Sequence, residues 1–328
     1  MNILVTGGAG YIGSHTVKEL IKNSHHVTVL DNLSKGHRKA VLKATFIHGD
    51  TGDKKLLAEL LKPEKIEAVV HFAASSLVGE SMIKPAEYYR NNLVNGLNLL
   101  DSMCGAKVEN LVFSSTAAVY GEPTGIPILE DNPAIPTNTY GATKLALEGA
   151  MNWYSQAYGI RCISLRYFNA AGADPEGELG EDHDPETHLI PLVLKAALGL
   201  APDIKIFGSD YPTPDGTCIR DYIHVTDLAA AHILAVEALA GGAKTNTYNL
   251  GNGLGYSVQE VVRTTEEVTG RELTKQITER RPGDPAVLVA SSDKIKKELN
   301  WKPSLNNLRT IIETAWKWHK AHPNGYEE

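Results

Sequence analysis

The chain has 328 residues, a net charge of −7 and 22% charged residues; the balance excludes a polybasic nucleic-acid footprint and suits one large α/β domain with a smaller companion. Its three cysteines, Cys104, Cys162 and Cys218, are far apart and odd in number, which predicts reduced, mostly buried thiols and neither a disulfide framework nor a zinc motif. No apolar run approaches the ~18 residues that span a bilayer, and the first strand, expected from Asn2, leaves no room for a secretory leader, so a cytoplasmic protein with no membrane partner is expected.

Ile3-Leu4-Val5-Thr6 reads as a short strand that runs into Gly7-Gly8-Ala9-Gly10-Tyr11-Ile12-Gly13 and then into a helical pattern through Val17, Leu20 and Ile21. Strand, glycine turn and helix in that order suit a dinucleotide. Gly7, Gly10 and Gly13 let backbone approach a pyrophosphate, and the N–H groups of Tyr11, Ile12 and Gly13 open the helix whose positive end attracts it. The next strand, His26 to Leu30, ends at Asp31 and Asn32, where a carboxylate can hold ribose hydroxyls and repel the extra phosphate of NADP. Asp31 therefore points to NAD, although Lys35 and Arg38 nearby could soften the preference.

Thr45 to Asp50 reads as a third strand, with Asp50 and Thr51 at its end placed to meet the adenine; Asp50 can equally be read as the N-cap of the helix starting near Asp53. Ala68-Val69-Val70-His71-Phe72-Ala73-Ala74 is the apolar run of a strand buried on both faces, with small residues at its end against which a cofactor can lie. A helix after Pro85 carries Tyr88 and Asn91, and the strand Asn110 to Phe113 delivers Ser114, Ser115 and Thr116. Strands alternating with helices predict a doubly wound parallel sheet of Rossmann type, with ligands at the carboxyl ends of its strands.

Tyr140 and Lys144 stand one helical turn apart, so a phenol and an ammonium share one face. A fixed cation favours the phenolate, which makes Tyr140 a candidate acid and base, with Thr116 able to share a substrate hydroxyl with it. Chance supplies roughly one Tyr-x-x-x-Lys per chain of this composition. An ordinary surface pair is the alternative, and the dinucleotide site upstream weighs against it.

Ile163 to Phe168 forms a further strand, ending at Asn169. Beyond Gly172 the chain turns acidic and proline-bearing. His183 and His188 sit among carboxylates there, but their spacing matches no zinc pattern and no metal is expected. Asp227 to Leu239 reads as an alanine-rich helix and Thr247 to Gly251 as a strand returning to the main sheet. Helices are expected over Val258 to Val268, Ser292 to Leu299 and Leu308 to His319, with Trp301, Trp316 and Trp318 as packing residues. The expected division is a dinucleotide-binding domain over 1–171, rejoined by 225–252, and a smaller mixed α/β substrate domain over 172–224 and 253–328.

With the glycine turn, Asp31, the Ser/Thr strand end and Tyr140/Lys144 in one chain, the sequence resembles the extended short-chain dehydrogenase/reductase family. Leu165-Arg166-Tyr167-Phe168-Asn169, Ile206-Phe207-Gly208 with Asp210-Tyr211-Pro212-Thr213, Arg220-Asp221-Tyr222-Ile223-His224-Val225 and Arg280-Arg281-Pro282-Gly283-Asp284 narrow the likeness to the sugar-nucleotide branch that inverts C4 of UDP-hexoses. The resemblance implies an NAD-dependent isomerase interconverting UDP-galactose and UDP-glucose through a 4-keto intermediate, as a homodimer paired through the helix after Pro85 and the Tyr140 helix.

Position by position, the resemblance implies that Tyr140 is the acid and base, that Lys144 contacts the nicotinamide ribose and depresses the tyrosine's pKa, and that Thr116 bonds the sugar 4-hydroxyl. NAD would lie along Gly7, Gly10, Tyr11, Ile12, Gly13, Asp31, Asn32, Asp50, Thr51, Phe72, Ala73, Ala74, Asn91, Ser114, Tyr167 and Phe168. The diphosphate would meet Asn169 and Arg220, and the uridine Ile206, Phe207 and Tyr211, with Arg281 and Asp284 completing the grip. His188 replaces the Asn that many relatives carry before Leu189 at the helix capping the substrate. Leu288 occupies a position that borders the hexose, where a bulky Tyr goes with plain hexoses and a small residue with N-acetyl sugars too; its intermediate size implies use of UDP-N-acetylhexosamines as well. A related 4,6-dehydratase needs an Asp-Glu after the strand-end Thr, where this chain has Ala117-Ala118, and a silent NAD-binding regulator would not need Thr116, Tyr140 and Lys144 together.

Overall fold

The computed structural model describes all residues except 63, 64, 124, 282, 283 and 328, so Pro282 and Gly283 of the Arg-Arg-Pro-Gly-Asp motif lie outside the described residues. The first half alternates strand and helix: β1 (Asn2–Thr6), α1 (Tyr11–Lys22), β2 (His26–Asp31), β3 (Thr45–His48), α2 (Lys54–Leu60) and β4 (Ala68–His71). Then come α3 (Val78–Ile83), α4 (Pro85–Tyr88), a π-helical turn (Tyr89–Val94) continuing into α5 (Asn95–Ala106), β5 (Asn110–Thr116), α6 (Thr139–Tyr158) and β6 (Arg161–Tyr167). The apolar runs of β1, β4, β5 and β6 are buried on both faces, which demands a helical layer on each side. A parallel sheet in the order β11-β6-β5-β4-β1-β2-β3 results, β11 being Asn246–Leu250, and the expected doubly wound architecture is observed.

Two apolar layers sandwich that sheet. One packs Val5, Val17, Leu20 and Val29 against α8 (Val225–Ala240), and the other packs Leu4, Leu57, Leu99, Phe113 and Leu147 beneath α5 and α6. The remaining elements are short: β7 (Asn169–Ala171), α7 (Leu189–Ala197), β8 (Ile204–Phe207), β9 (Ile219–Arg220), β10 (Tyr222–His224), β12 (Tyr256–Ser257), α9 (Val258–Thr269), β13 (Lys275–Thr278), β14 (Val287–Leu288), α10 (Asp293–Leu299) and α11 (Leu308–Ala321). They make small sheets of mixed direction, with β9 antiparallel to β12 and parallel to β14. Trp301 and Trp318 are buried and Trp316, partly buried, packs against the apolar clusters of the smaller unit, as expected of packing residues. Among the described residues no helix is long and apolar enough to cross a membrane.

Candidate active site

A cavity of about 550 Å³ runs over the carboxyl ends of β1, β2, β4, β5 and β6 and up to β9 and β14. At its base the glycine turn is shaped by contact. Gly7 has φ +73°, and a Cβ there would stand 2.5 Å from the backbone nitrogen of Ala73; a Cβ on Gly13 would stand 2.2 Å from the carbonyl oxygen of Gly7. Gly10 caps α1 without any side-chain bond, so the N–H groups of the first turn remain for a ligand. Such an uncapped helix end beside bare backbone fits a dinucleotide diphosphate.

Asp31 closes β2 with its carboxylate held by the backbone N–H of Ala9 (2.9 Å) and of Leu33 (2.8 Å), and burial raises its pKa against those bonds. The two cations that could favour a 2′-phosphate are engaged elsewhere. Lys35 donates to the carbonyl oxygen of Asp184 at 2.6 Å, and the Arg38 guanidinium sits 4.5 Å over the Phe46 ring. Asp50 accepts from Asn32 (2.7 Å), Asn95 (3.1 Å) and the N–H of Gly52 (2.6 Å); the helix N-cap is Asp53, which accepts from Lys55 and Leu56, so the alternative reading of Asp50 as that cap is corrected. Across the cavity the π-helical turn aims Asn91 and Asn92 at the loop after β4. Asn91 donates to the Ser75 hydroxyl (2.9 Å), while Asn92 accepts from the Ser75 N–H (2.8 Å) and donates to its carbonyl (2.9 Å) and to Thr143 on α6 (3.1 Å).

Asn138 caps α6 by accepting from the N–H of Gly141 at 2.8 Å, which puts Tyr140 in the first turn with its side chain half-buried in the cavity. Gly141 is required because a Cβ would stand 2.4 Å from the carbonyl oxygen of Ala118. Thr116 ends β5 and accepts from the N–H of Ala118 at 3.1 Å, with its hydroxyl against the Tyr140 phenol. Lys144 is buried, donates to the carbonyl oxygen of Ser114 at 2.9 Å, and lies 5.9 Å from the centre of the Tyr140 ring.

The expected depression of the Tyr140 pKa is corrected. Burial raises the phenol above its ordinary value, and the Thr116 hydroxyl pulls it back. Burial also lowers the Lys144 ammonium to about 7 against the pull of Glu148, so the cation meant to perturb the phenol is itself destabilised.

Beneath this trio Glu148, one turn after Lys144, accepts from Ser115 and pairs with Arg166, whose Nη1 donates to the Tyr120 hydroxyl at 2.9 Å. Tyr120 in turn donates to Asn249 on β11 at 2.7 Å. Ser114 and Tyr167 share a hydrogen bond, and Tyr11 donates to the carbonyl oxygen of Gly172 at 2.6 Å.

Every residue expected to touch the cofactor lines the cavity, and so do Thr116, Asn169, His188, Arg220, Asp284 and Leu288. Arg220 pairs with Asp284, and Asn169 is tied through its amide to the carbonyl oxygen of Asp221 at 3.0 Å. The remaining expected substrate residues lie off this lining. Ile206 is buried between β8 and β13, Leu189 packs into the small unit's core, and Arg280 and Arg281 stack 4.1 and 4.0 Å over the rings of Tyr211 and Phe207. His188 precedes α7 with Nδ1 turned to Glu181 and Glu186. Asn92, Asn95 and Glu148 were not singled out in the sequence, and neither was the staple made by Asp221. Its buried carboxylate accepts from the N–H groups of Asn252 (2.7 Å), Gly253 (3.1 Å) and Ala290 (3.2 Å).

Comparison with known proteins agrees with this geometry. Residues 3–251 match the model of the "NAD dependent epimerase/dehydratase family". The chain is 55% identical over 326 residues to the UDP-glucose 4-epimerase of Halalkalibacterium halodurans, covering 99% of this chain and 98% of that protein. Among solved structures it superposes with a TM-score of 0.97 on a UDP-glucose 4-epimerase at 55% identity, covering 99% of both chains. Against the Brucella ovis UDP-glucose 4-epimerase in complex with NAD the TM-score is 0.94 at 48% identity, over 96% of this chain and 97% of that one. With a family model spanning most of its length and relatives of this identity over nearly all of it, the chain belongs to the NAD dependent epimerase/dehydratase family.

Proposed function

We propose that the protein inverts C4 of UDP-hexoses, interconverting UDP-galactose and UDP-glucose, with NAD held over the strand ends of the main sheet. The observation that carries this reading is the meeting of Thr116, Tyr140 and Lys144 at one end of a cavity whose other end is the uncapped α1 and Asp31. Engagement of Lys35 and Arg38 away from Asp31 favours NAD over NADP. The dinucleotide unit is 1–171 rejoined by 225–252, and 172–224 with 253–328 binds the UDP-sugar.

Tyr140 accepts the proton of the sugar 4-hydroxyl and returns it, so it is needed in both half-reactions. Thr116 orients that hydroxyl, and Lys144 fixes the Ser114 end of β5 beside it. Bound NAD supplies a reversible hydride acceptor for C4 and a positive ring that favours the phenolate. Inversion requires the 4-keto sugar to turn while the UDP stays fixed. Arg220, registered by Asp284 and the Asp221 staple, holds the diphosphate with a planar fork of donors. Arg281 on Phe207 and Arg280 on Tyr211 make a shelf for the uracil. Leu288, beside Arg220's strand, walls the hexose apolarly and admits UDP-N-acetylhexosamines.

Ala117 and Ala118 line the cavity where a dehydratase would need an acid and a base, and neither can move a proton. Exposed Met82, Ile83, Tyr89, Val94 and Trp153 on α3, the π-helical turn and α6 form the face through which a homodimer assembles, in the cytoplasm where UDP-sugars are handled. Incubation of the purified protein with UDP-galactose, with assay of UDP-glucose, tests the reading. Appearance of UDP-glucose supports it, and a product lighter by one water would replace it with a dehydratase.

A further inference from the structure

The segment between β7 and α7 gathers Glu181, His183, Glu186 and His188 on the rim of the cavity, with one ligand atom from each lying within 4.8 Å of the others. The Glu181 and Glu186 side chains are 4% and 3% exposed, and among the described residues no Lys or Arg pairs with either. Their ion-pair partners among the described residues are the imidazoles of His183 and His188, and two buried carboxylates are costly unless positive charge, on those rings or on a shared cation, sits between them. The His188 Nδ1 lies 2.9 Å from Glu181 Oε1 and 3.1 Å from Glu186 Oε1, while His183 Nδ1 lies 3.3 Å from Glu181 Oε1 and 3.8 Å from Glu186 Oε2. Yet His183 Nδ1 and Glu186 Oε2 are buried and hydrogen-bond to nothing. One side-chain hydrogen bond, between His188 Nδ1 and Glu186 Oε1 at 3.1 Å, lies within the group, and the ligand atoms otherwise crowd about a shared centre. Bonds of ~2.0–2.2 Å from one metal would set four ligands roughly 3.3–3.5 Å apart, in the range these separations span.

We propose that Glu181, His183, Glu186 and His188 bind one divalent cation of the zinc class. Two imidazoles with two carboxylates suit zinc; calcium and magnesium prefer six or more oxygens. Two carboxylates balance the dication, so the imidazoles bind neutral and any proton they carry is released to solvent. The backbone N–H groups of Thr187 and His188, each 2.8 Å from Glu186 Oε1, orient that carboxylate from behind. All four positions come from protein, which makes the site structural: it fastens the loop that forms one wall of the cavity. The other acidic group, Asp174, Glu176 and Glu178, is already filled by the ammonium of Lys18 and offers no such place.

Full-length protein stripped with a chelator and titrated with zinc against a chromophoric competitor should take up about one equivalent per chain. Cobalt in its place should give the intense visible bands of a four-coordinate ion. His183→Ala and Glu186→Gln should each weaken zinc by at least the ~10–100-fold that follows loss of an outer-shell partner, with circular dichroism unchanged. No zinc uptake, a weak octahedral cobalt spectrum in the unmodified protein, or unchanged affinity in the folded variants would overturn the site.

Discussion

Lys144 donates its ammonium proton to the carbonyl oxygen of Ser114, 2.9 Å away, while the Tyr140 ring one turn earlier on the same helix stays 5.9 Å distant. The lysine therefore braces the end of β5 and is held there at a cost. In the unfolded chain it keeps its proton up to about pH 10.5, whereas burial in the folded protein lowers that value to about 7. The sign follows. The unfolded state binds the extra proton between those values, so the penalty is full below pH 7 and is relieved as pH rises from 7 to 10.5. Lys144→Met should thus stabilise the nucleotide-free protein by on the order of a few kcal/mol at and below pH 7, less the bond lost at Ser114, with the gain fading toward pH 10.5. Urea titrations of both proteins across that range measure it, and a pH-independent difference would remove the buried charge from the account.

Tyr140→Phe deletes only the hydroxyl that faces Thr116. The ring still packs at the α6 N-terminus, so folding and bound NAD should persist while C4 inversion falls by ~10²–10⁴-fold. Single-turnover assays with UDP-galactose, alongside measurement of retained NAD, separate the two; full activity would take Tyr140 out of the mechanism.

Glu148 and Arg166 are both buried, at 5% and 7% exposure, and joined directly. Glu148→Gln leaves the guanidinium without its counter-charge and should cost ~3–5 kcal/mol of stability. The paired change Glu148→Leu with Arg166→Leu should lose less than Glu148→Leu alone, read by chemical denaturation. A double variant that loses as much as Glu148→Leu and Arg166→Leu summed would mean that the charges do not interact energetically.

Leu288 tests sugar selection. Adding a ring and hydroxyl by Leu288→Tyr should fill the space beside the 2-substituent, and steric exclusion exceeds the ~1–3 kcal/mol of a missing methylene contact. The kcat/KM for UDP-N-acetylgalactosamine should therefore fall far more than that for UDP-galactose. Parallel losses on both would show that Leu288 is not the gate.

The parts of the site that were legible beforehand are those written in contiguous residues. The glycine turn needs its spacing locally, Asp31 follows from the length of one βα unit, and Tyr140 with Lys144 from one helical turn. What was not legible depends on where distant segments meet. Asp221 reads as one more buried acid until Asn252, Gly253 and Ala290 arrive from far along the chain to donate to it. Lys144's choice of Ser114 over Tyr140 depends on the depth of α6 against β5, which periodicity does not encode. His183 and His188 have no recognisable metal spacing because Glu181 and Glu186 interleave with them on an irregular loop whose path no repeat dictates.

The π-helical turn at Tyr89–Val94 sets a length that the chain must keep. Each residue of a helix advances the side chains by about 100° around its axis, so removing one residue upstream of Asn91 would leave a serviceable helix pointing its asparagines elsewhere. Asn92 would swing away from Ser75 and Thr143, and the loop after β4 would lose the brace that holds it under the cofactor cavity. A single-residue deletion there is as damaging as loss of a buried side chain, and the constraint is carried by a count of residues.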